Sequence, residues 1–315
     1  MSTHDLSDPD GPGPTADDLL LADLAAGVDE PVAPGAGAIL LAASARRPFG
    51  SPSHAVDQLT SLQAYDRIHE VLDALLGGLS PAEWTAAVEP YGWSVRSLVA
   101  HLVEIDRYFA GTLGIATYDV DPEAALDHVE MTRAAVDAWT ADDADTLAAW
   151  RASNRLVRGA LAGRFDDRLQ ERFRFHMLHS RLDTLLIVRV FELWTHVEDI
   201  HRAIGRPLTP VDPALLARMS RIAVPAVPLG LLLHGIDLGA HTVRFVLTGP
   251  GGGTFDQPTQ VGQAPGPIDL VVIADVTEFC RVAAQRLAAA ELAVEIEGDP
   301  QLALQVLTGA AAFAA

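Results

Sequence analysis

The sequence DTLLIVRVFELWTHVEDIHRAIG (residues 183–205) sets a long apolar run against charged residues at regular spacing. Its apolar residues recur every three or four positions, and Gly205 stands where helices commonly end. The segment therefore predicts a long helix from Asp183 to Ile204. Residues four apart on a helix share a face, so this helix should carry one polar stripe. The members of the stripe are Arg189, Glu192, His196 and Asp199.

Two ligands for a metal ion can come from this stripe. Glu192 and His196 are four residues apart, so a carboxylate and an imidazole could reach one cation. Zinc takes three or four such ligands, and a catalytic site leaves one position open. His101, in WSVRSLVAHLVEID (residues 93–106), flanks an apolar stripe and is the best third ligand. On spacing alone, two other interpretations are favoured over a metal site: an ordinary solvated helix face, and a hydrogen-bonded core histidine at position 101.

The other two residues of the stripe have candidate catalytic roles. Asp199, one turn after His196, could orient a ligand histidine by a hydrogen bond. Arg189, one turn before Glu192, could bind a substrate carboxylate. Surface ion pairs give the same sequence pattern, so both residues also fit a purely structural role.

The chain before this helix is also predicted to be mainly helical. Helices are expected over about 54–79, 94–113, 122–138 and 143–162, with Ser94 as an N-cap. The polar segment 165–180 has no clear period. Several helices joined by modest loops predict a helical bundle.

The chain after residue 206 changes character. Residues 206–235 contain five prolines and predict a helix with a linker. Strands are expected at 241–249, 268–274 and 292–298, because the apolar pattern there has period two or is continuous. A helix capped by Asp275 should run to about Ala289, and Pro300 should open a last helix. These elements predict a small α+β domain at residues 236–315.

Composition restricts the partners. The 315 residues suggest two domains, and the net charge of -20 disfavours nucleic acid and anionic membranes. The single cysteine, Cys280, allows no internal disulfide and fits a core position. Residues 1–50 are expected to form a flexible tail with short helices, without the pattern of a signal peptide. We therefore expect a cytoplasmic protein; the sequence leaves its oligomeric state open.

The motifs together resemble a known family. Two motifs resemble those of the mycothiol-dependent maleylpyruvate isomerase family. They are Trp93-Ser94-Val95 followed by Ala100-His101-Leu102, and Glu192-x-Trp194-x-His196-x-x-Asp199. The stretches VRFVLTGPGGGTF, Ala274-Asp275 and Glu297-Gly298-Asp299 resemble that family's sterol-carrier-like C-terminal domain. The resemblance covers roughly residues 51–315. It implies a multidomain fold of an all-α, DinB-like four-helix bundle at 51–225, followed by the small α+β domain.

The resemblance also implies a function. In that family a divalent metal, usually Zn²⁺, is bound by residues that correspond here to His101, Glu192 and His196. The cosubstrate is the low-molecular-weight thiol mycothiol, and the substrate would be a small electrophilic molecule. The expected function is thus a metal-dependent isomerase or thiol transferase. A non-catalytic metal- or ligand-binding protein on the same bundle, and an interaction protein with a solvated stripe, are the alternatives.

Overall fold

The computed structural model of the protein describes residues 56, 58–89, 91–115, 128–161, 168–175 and 178–312. The tail and short helices expected in residues 1–50 lie outside these residues. The described part is helical up to residue 233 apart from two short hairpins, and contains a four-stranded sheet with further helices after it. An all-α region followed by an α+β region was expected and is confirmed.

Within the described residues, the helical region begins with ten elements, and residues 116–127 and 162–167 lie outside the description. In chain order they are α1 (Ser61–Gly77), α2 (Pro81–Trp84), β1 (Ala87–Val88), β2 (Trp93–Ser94), α3 (Val95–Thr112), α4 (His128–Asp137), α5 (Asp143–Leu161), β3 (Arg172–Phe175), β4 (Leu178–Arg181) and α6 (Leu182–Ala203). Two further helices follow, α7 (Pro213–Ala223) and α8 (Val227–Leu233).

Local signals explain where these helices begin and end. The side chain of Thr60 accepts a hydrogen bond from the Gln63 amide, and Ser94 accepts one from the Ser97 amide. Gly205 follows α6 with a φ of 65°, a left-handed conformation that glycine adopts at little cost. The N-cap at Ser94 and the terminal glycine at position 205 were both predicted.

Helix α6 is the central element of the helical region. It packs against α1 and α7 and contacts α3, while α3 packs against α4 and α5. Seventeen of the 22 residues of α6 are buried, including charged ones. A helix enclosed on most sides cannot present a wide solvated face, so its polar residues must find partners inside the protein.

The α+β region is a mixed sheet with helices. Its elements are β5 (Thr242–Thr248), β6 (Thr254–Pro258), β7 (Leu270–Asp275), α9 (Val276–Ala283), β8 (Val294–Glu297) and α10 (Pro300–Ala310). The strand order is β6-β5-β7-β8, with β5 and β7 parallel and the outer pairs antiparallel. Asp275 caps α9 by accepting hydrogen bonds from the Thr277 and Glu278 amides, as predicted.

Three elements differ from the expectations. Residues 254–258 form the edge strand β6, where the closing Pro258 is tolerated because an edge strand needs fewer amide donors. Part of the ambiguous segment 165–180 forms the hairpin of β3 and β4. Helix α9 ends at Ala283 rather than near Ala289, because Gln285 adopts a left-handed φ of 57°.

The two regions share one continuous hydrophobic core. Helix α7 contacts α9, and the loop between β5 and β6 packs closely on the start of α7. Among the described helices, none is by itself long and apolar enough to cross a membrane; the bent pair α7 and α8 meets the length and composition only jointly.

His69 is a buried base in this core. It is 1% exposed, its Nδ1 lies 2.8 Å from the Tyr65 carbonyl oxygen, and its ring stacks on Trp150. Burial lowers the pKa of His69 from 6.5 to about 4, against the opposing charge of Asp106.

Acid should therefore destabilise the protein through His69. The unfolded chain binds a proton at this residue below about pH 6.5, whereas the folded chain does so only near pH 4. The free energy of unfolding should thus fall by about 2 kcal/mol from this group between pH 7 and pH 5. Urea unfolding of the wild type, His69→Leu and His69→Gln at both pH values measures it. Equal pH dependence in all three proteins would contradict the assignment.

Gly251 should tolerate no side chain. Its φ is 85°, and a Cβ there would lie 2.2 Å from the Pro213 carbonyl oxygen. Gly239 is a matched control, since its φ is 71° but a Cβ would meet nothing within 4 Å. In both alanine variants the left-handed backbone conformation is strained, which should lower the free energy of unfolding by about 1 kcal/mol. Gly251→Ala should lose about 2 kcal/mol more in thermal or urea unfolding, from the backbone clash; equal losses would show that the loop simply moves away.

Candidate metal centre

The polar stripe of α6 is enclosed by the protein. Arg189, His196 and Asp199 are 0%, 1% and 3% exposed, and the Glu192 side chain is 10% exposed. The interpretation of the stripe as a solvated helix face is therefore wrong. The pattern misleads because α6 is covered on almost every side, so its polar residues line an internal seam.

His101 reaches this seam from α3. It is fully buried, and its Nδ1 lies 2.6 Å from the hydroxyl oxygen of Thr132 on α4. Its other ring nitrogen, Nε2, faces Glu192 Oε1 at 3.8 Å, too far for a hydrogen bond. The rings of His101 and His196 meet edge to face, with centroids 5.8 Å apart. His101 thus has one hydrogen-bonded nitrogen, as a core histidine would, and one nitrogen directed at the stripe.

Three potential ligand atoms converge where α3 and α6 face each other. His101, Glu192 and His196 each offer one atom, and the three atoms lie within 4.8 Å of one another. Two ligands of a tetrahedral zinc ion lie roughly 3.4 Å apart, given metal–ligand bonds of about 2.1 Å. The 3.8 Å between His101 Nε2 and Glu192 Oε1 is close to that spacing. The buried Nε2 of His196 has no hydrogen-bond partner in the described protein, which also suits a metal ligand.

Each potential ligand is held by a second group. His196 Nδ1 lies 3.2 Å from Asp199 Oδ2, and the Arg189 guanidinium bonds Glu192 Oε2. These contacts leave His196 Nε2 and Glu192 Oε1 on the side where the ligand atoms converge. Outer contacts of this kind fix the orientation and the tautomer of metal ligands. The residues present therefore fit a divalent metal ion.

Arg189 lies behind this group, away from solvent. Its Nη2 donates to Asp106 Oδ1 at 2.8 Å, and Ser153 donates to the other oxygen of Asp106 at 2.9 Å. Burial acts to lower the pKa of Arg189, but the charges of Glu192 and Asp106 outweigh it and raise the pKa. The structure thus gives Arg189 the position of a charged support for Glu192, with its guanidinium engaged by protein carboxylates.

Asp199 has partners on two sides. Arg286, which follows α9, donates from Nε and Nη2 to its two oxygens at 2.8 and 2.9 Å. Burial acts to raise the pKa of Asp199, but the hydrogen bonds from Arg286 and His196 lower it overall. Asp199 therefore stays a carboxylate and can accept a hydrogen bond from the Nδ1–H group of His196.

Four residues around the site were not found from the sequence: Tyr91, Asp106, Thr132 and Arg286. Asp106 is the one with a usable signal, since it lies on the helix of His101 and is an acid inside an apolar pattern. Tyr91, Thr132 and Arg286 come from separate elements, and no spacing rule joins them to α6. Cys280 was expected in the core and is fully buried, where burial raises the pKa of its thiol.

Comparison with known proteins gives one family. Residues 65–201 match the mycothiol maleylpyruvate isomerase N-terminal domain, somewhat less than half of the chain. The fold is similar to the crystal structure of a mycothiol-dependent maleylpyruvate isomerase and to that of a histidine-to-alanine mutant of such an enzyme. Both likenesses have a TM-score of 0.51 and 17% identity, and cover 75% of this chain and 91% of the other. No curated protein matches the chain. The resemblance to the mycothiol-dependent maleylpyruvate isomerase family is therefore confirmed.

Proposed function

We propose that the protein is a metal-dependent enzyme that uses mycothiol to isomerise a small electrophilic substrate or to transfer the thiol to it. The observation that carries the proposal is the convergence of His101, Glu192 and His196 within 4.8 Å. Support comes from the family matched by residues 65–201 and from the names of the structures that share the fold.

In this proposal His101, Glu192 and His196 hold the metal ion. Two imidazoles and one carboxylate suit Zn²⁺ and leave a fourth position for an exogenous ligand. When bound, zinc would favour the deprotonated form of a thiol at neutral pH, and the thiolate is the nucleophilic form.

The protein's own contribution is to prepare these ligands. Thr132 accepts a hydrogen bond from the protonated Nδ1 of His101, and Asp199 accepts one from the protonated Nδ1 of His196. Both Nε2 lone pairs are thereby left for the metal. Asp199 thus keeps its expected role as the group that orients a ligand histidine. Arg189, expected to bind a substrate carboxylate, is assigned instead to holding Glu192, because it is fully buried.

The proposal extends to the organisation of the chain. Residues 51–225 would form the DinB-like four-helix bundle, with α1, α3, α5 and α6 as its helices. Residues 236–315 would form the sterol-carrier-like domain, and the protein would work in the cytoplasm.

The first test is metal content with thiol-dependent turnover. Plasma mass spectrometry should find close to one zinc ion per chain in the purified wild type. The His196→Ala variant should lose the metal and, with it, turnover by more than about 100-fold, since loss of an outer partner alone costs 10–100-fold. The control is His201→Ala, because His201 lies on the same helix but bonds the Pro207 carbonyl at 2.8 Å. This variant should keep its zinc.

Turnover itself separates the competing functions. With maleylpyruvate as the trial electrophile, an isomerase regenerates the thiol, whereas a transferase consumes one thiol per product. A zinc-loaded protein with no thiol-dependent turnover of any electrophile would favour the non-catalytic metal-binding alternative. A wild type that takes up no divalent metal would overturn the proposal.

A further inference from the structure

We propose that Arg286 is a positioning residue for His196, so that metal binding by α6 depends on the docking of the α+β region. This inference rests on the metal site of the proposed function and adds a residue from the other half of the chain. It assigns Arg286 an effect on metal affinity that acts through Asp199.

The contacts form a chain from one region to the other. Both oxygens of Asp199 accept hydrogen bonds from Arg286, and Asp199 Oδ2 also lies 3.2 Å from His196 Nδ1. The side chains of Arg286 and Asp199 are 10% and 2% exposed, so water competes little for these bonds. A carboxylate clamped by two parallel N–H groups has little freedom to rotate. The position of the His196 ring is therefore set in part by Arg286.

Tyr91 encloses the same histidine from the side. Its hydroxyl group accepts a hydrogen bond from Arg286 Nη2, and the guanidinium lies over its ring, 5.5 Å from the centroid. The Tyr91 ring meets His196 edge to face at 5.8 Å. Arg286 thus joins two groups that contact His196, one by hydrogen bonding and one by packing.

The backbone turn before Arg286 orients this residue toward α6. Helix α9 ends in a Schellman motif: the Arg286 amide donates to the Arg281 carbonyl, and the Gln285 amide to the Val282 carbonyl. Gln285 is left-handed, with a φ of 57°, the one non-glycine residue with positive φ in the described parts of the chain. A non-glycine residue there costs about 1 kcal/mol relative to ordinary backbone. This turn ends the helix and brings Arg286 toward α6.

Arg281 provides a built-in comparison. It lies in the last turn of α9 and makes a similar bidentate contact to Glu198, the residue before Asp199. Its Nη2 and Nε donate to the two Glu198 oxygens at 2.8 and 3.0 Å. Glu198 is as buried as Asp199, but its ion-pair partners are arginines, and neither of them is a metal ligand. The two arginines thus make similar ion pairs across one interface. Arg286 binds the carboxylate that contacts His196, whereas the Arg281 pair reaches that carboxylate only through Arg202, whose Nη1 lies 3.6 Å from Asp199 Oδ1.

Zinc affinity separates the two pairs. Competition between the full-length apo protein and a fluorescent zinc chelator would give Kd for the wild type, Arg286→Gln and Arg281→Gln. Arg286→Gln should bind zinc about 10-fold more weakly, the low end of the range for direct partners of metal ligands, because Arg286 acts one group further out, through Asp199. Arg281→Gln should stay within about 3-fold of the wild type, although thermal unfolding without metal should show both variants similarly destabilised.

A conservative variant guards against misfolding. Arg286→Lys keeps the charge but cannot make the bidentate contact, so it should also bind zinc more weakly. Equal zinc affinity in the wild type and both Arg286 variants would overturn the inference while leaving the metal site intact. Equal weakening by the Arg281 and Arg286 variants would also overturn it, since the effect would then be general loosening. A wild type that binds no zinc would instead overturn the proposed function itself.

Discussion

The ion pairs of Arg189 with Asp106 and Glu192 determine how the helical region can be packed. A guanidinium with no exposure to solvent is tolerated only where carboxylates surround it, because the cost of removing its hydration is several kcal/mol. Arg189 and Glu192 lie on α6 and Asp106 lies on α3, so the ion pair of Arg189 with Asp106 fixes these two helices relative to each other. The same two helices supply His101 and His196. The convergence of the three potential ligand atoms thus depends on a charge that would not itself bind the metal.

A group prepared in this way differs from three polar residues that happen to be close. Thr132 on α4 holds His101, Asp199 holds His196, and Arg189 holds Glu192. Each contact uses the atom that would not bind a metal. Ligands held by their own partners need little rearrangement on binding, and this lowers the conformational entropy that binding costs. The arrangement depends on side chains from several helices and from the segment after α9.

Local signals and periodicity predicted much of this structure. The apolar period predicted α1, α3, α5 and α6, and the caps at Ser94, Gly205 and Asp275 fell where expected. The pair Glu192 and His196 could be found because helical spacing links them. Periodicity could not say whether their stripe faced water or protein, because a buried polar seam and a solvated face have the same pattern. That difference is decided by how many neighbours cover α6, which is a property of the tertiary structure.

The elements that escaped prediction likewise depend on distant parts of the chain. Strand β6, with its glycine-rich approach and Pro258, gave no strand signal, and it is a strand because β5 offers it a free edge. The predicted end of α9 was too late, since nothing in the local sequence required Gln285 to be left-handed.

The single cysteine of the chain has a practical meaning for a protein that is proposed to work with a small thiol. Cys280 is fully buried on α9, and burial raises the pKa of its thiol, so it is both enclosed and protonated. Thiol–disulfide exchange starts from an accessible thiolate, and this residue offers none in the folded state. Cys280 therefore does not compete with the proposed thiol cosubstrate for oxidants or electrophiles. A thiol reagent applied to the native protein would report on the small molecules bound to it, and reaction with the chain itself would signal unfolding.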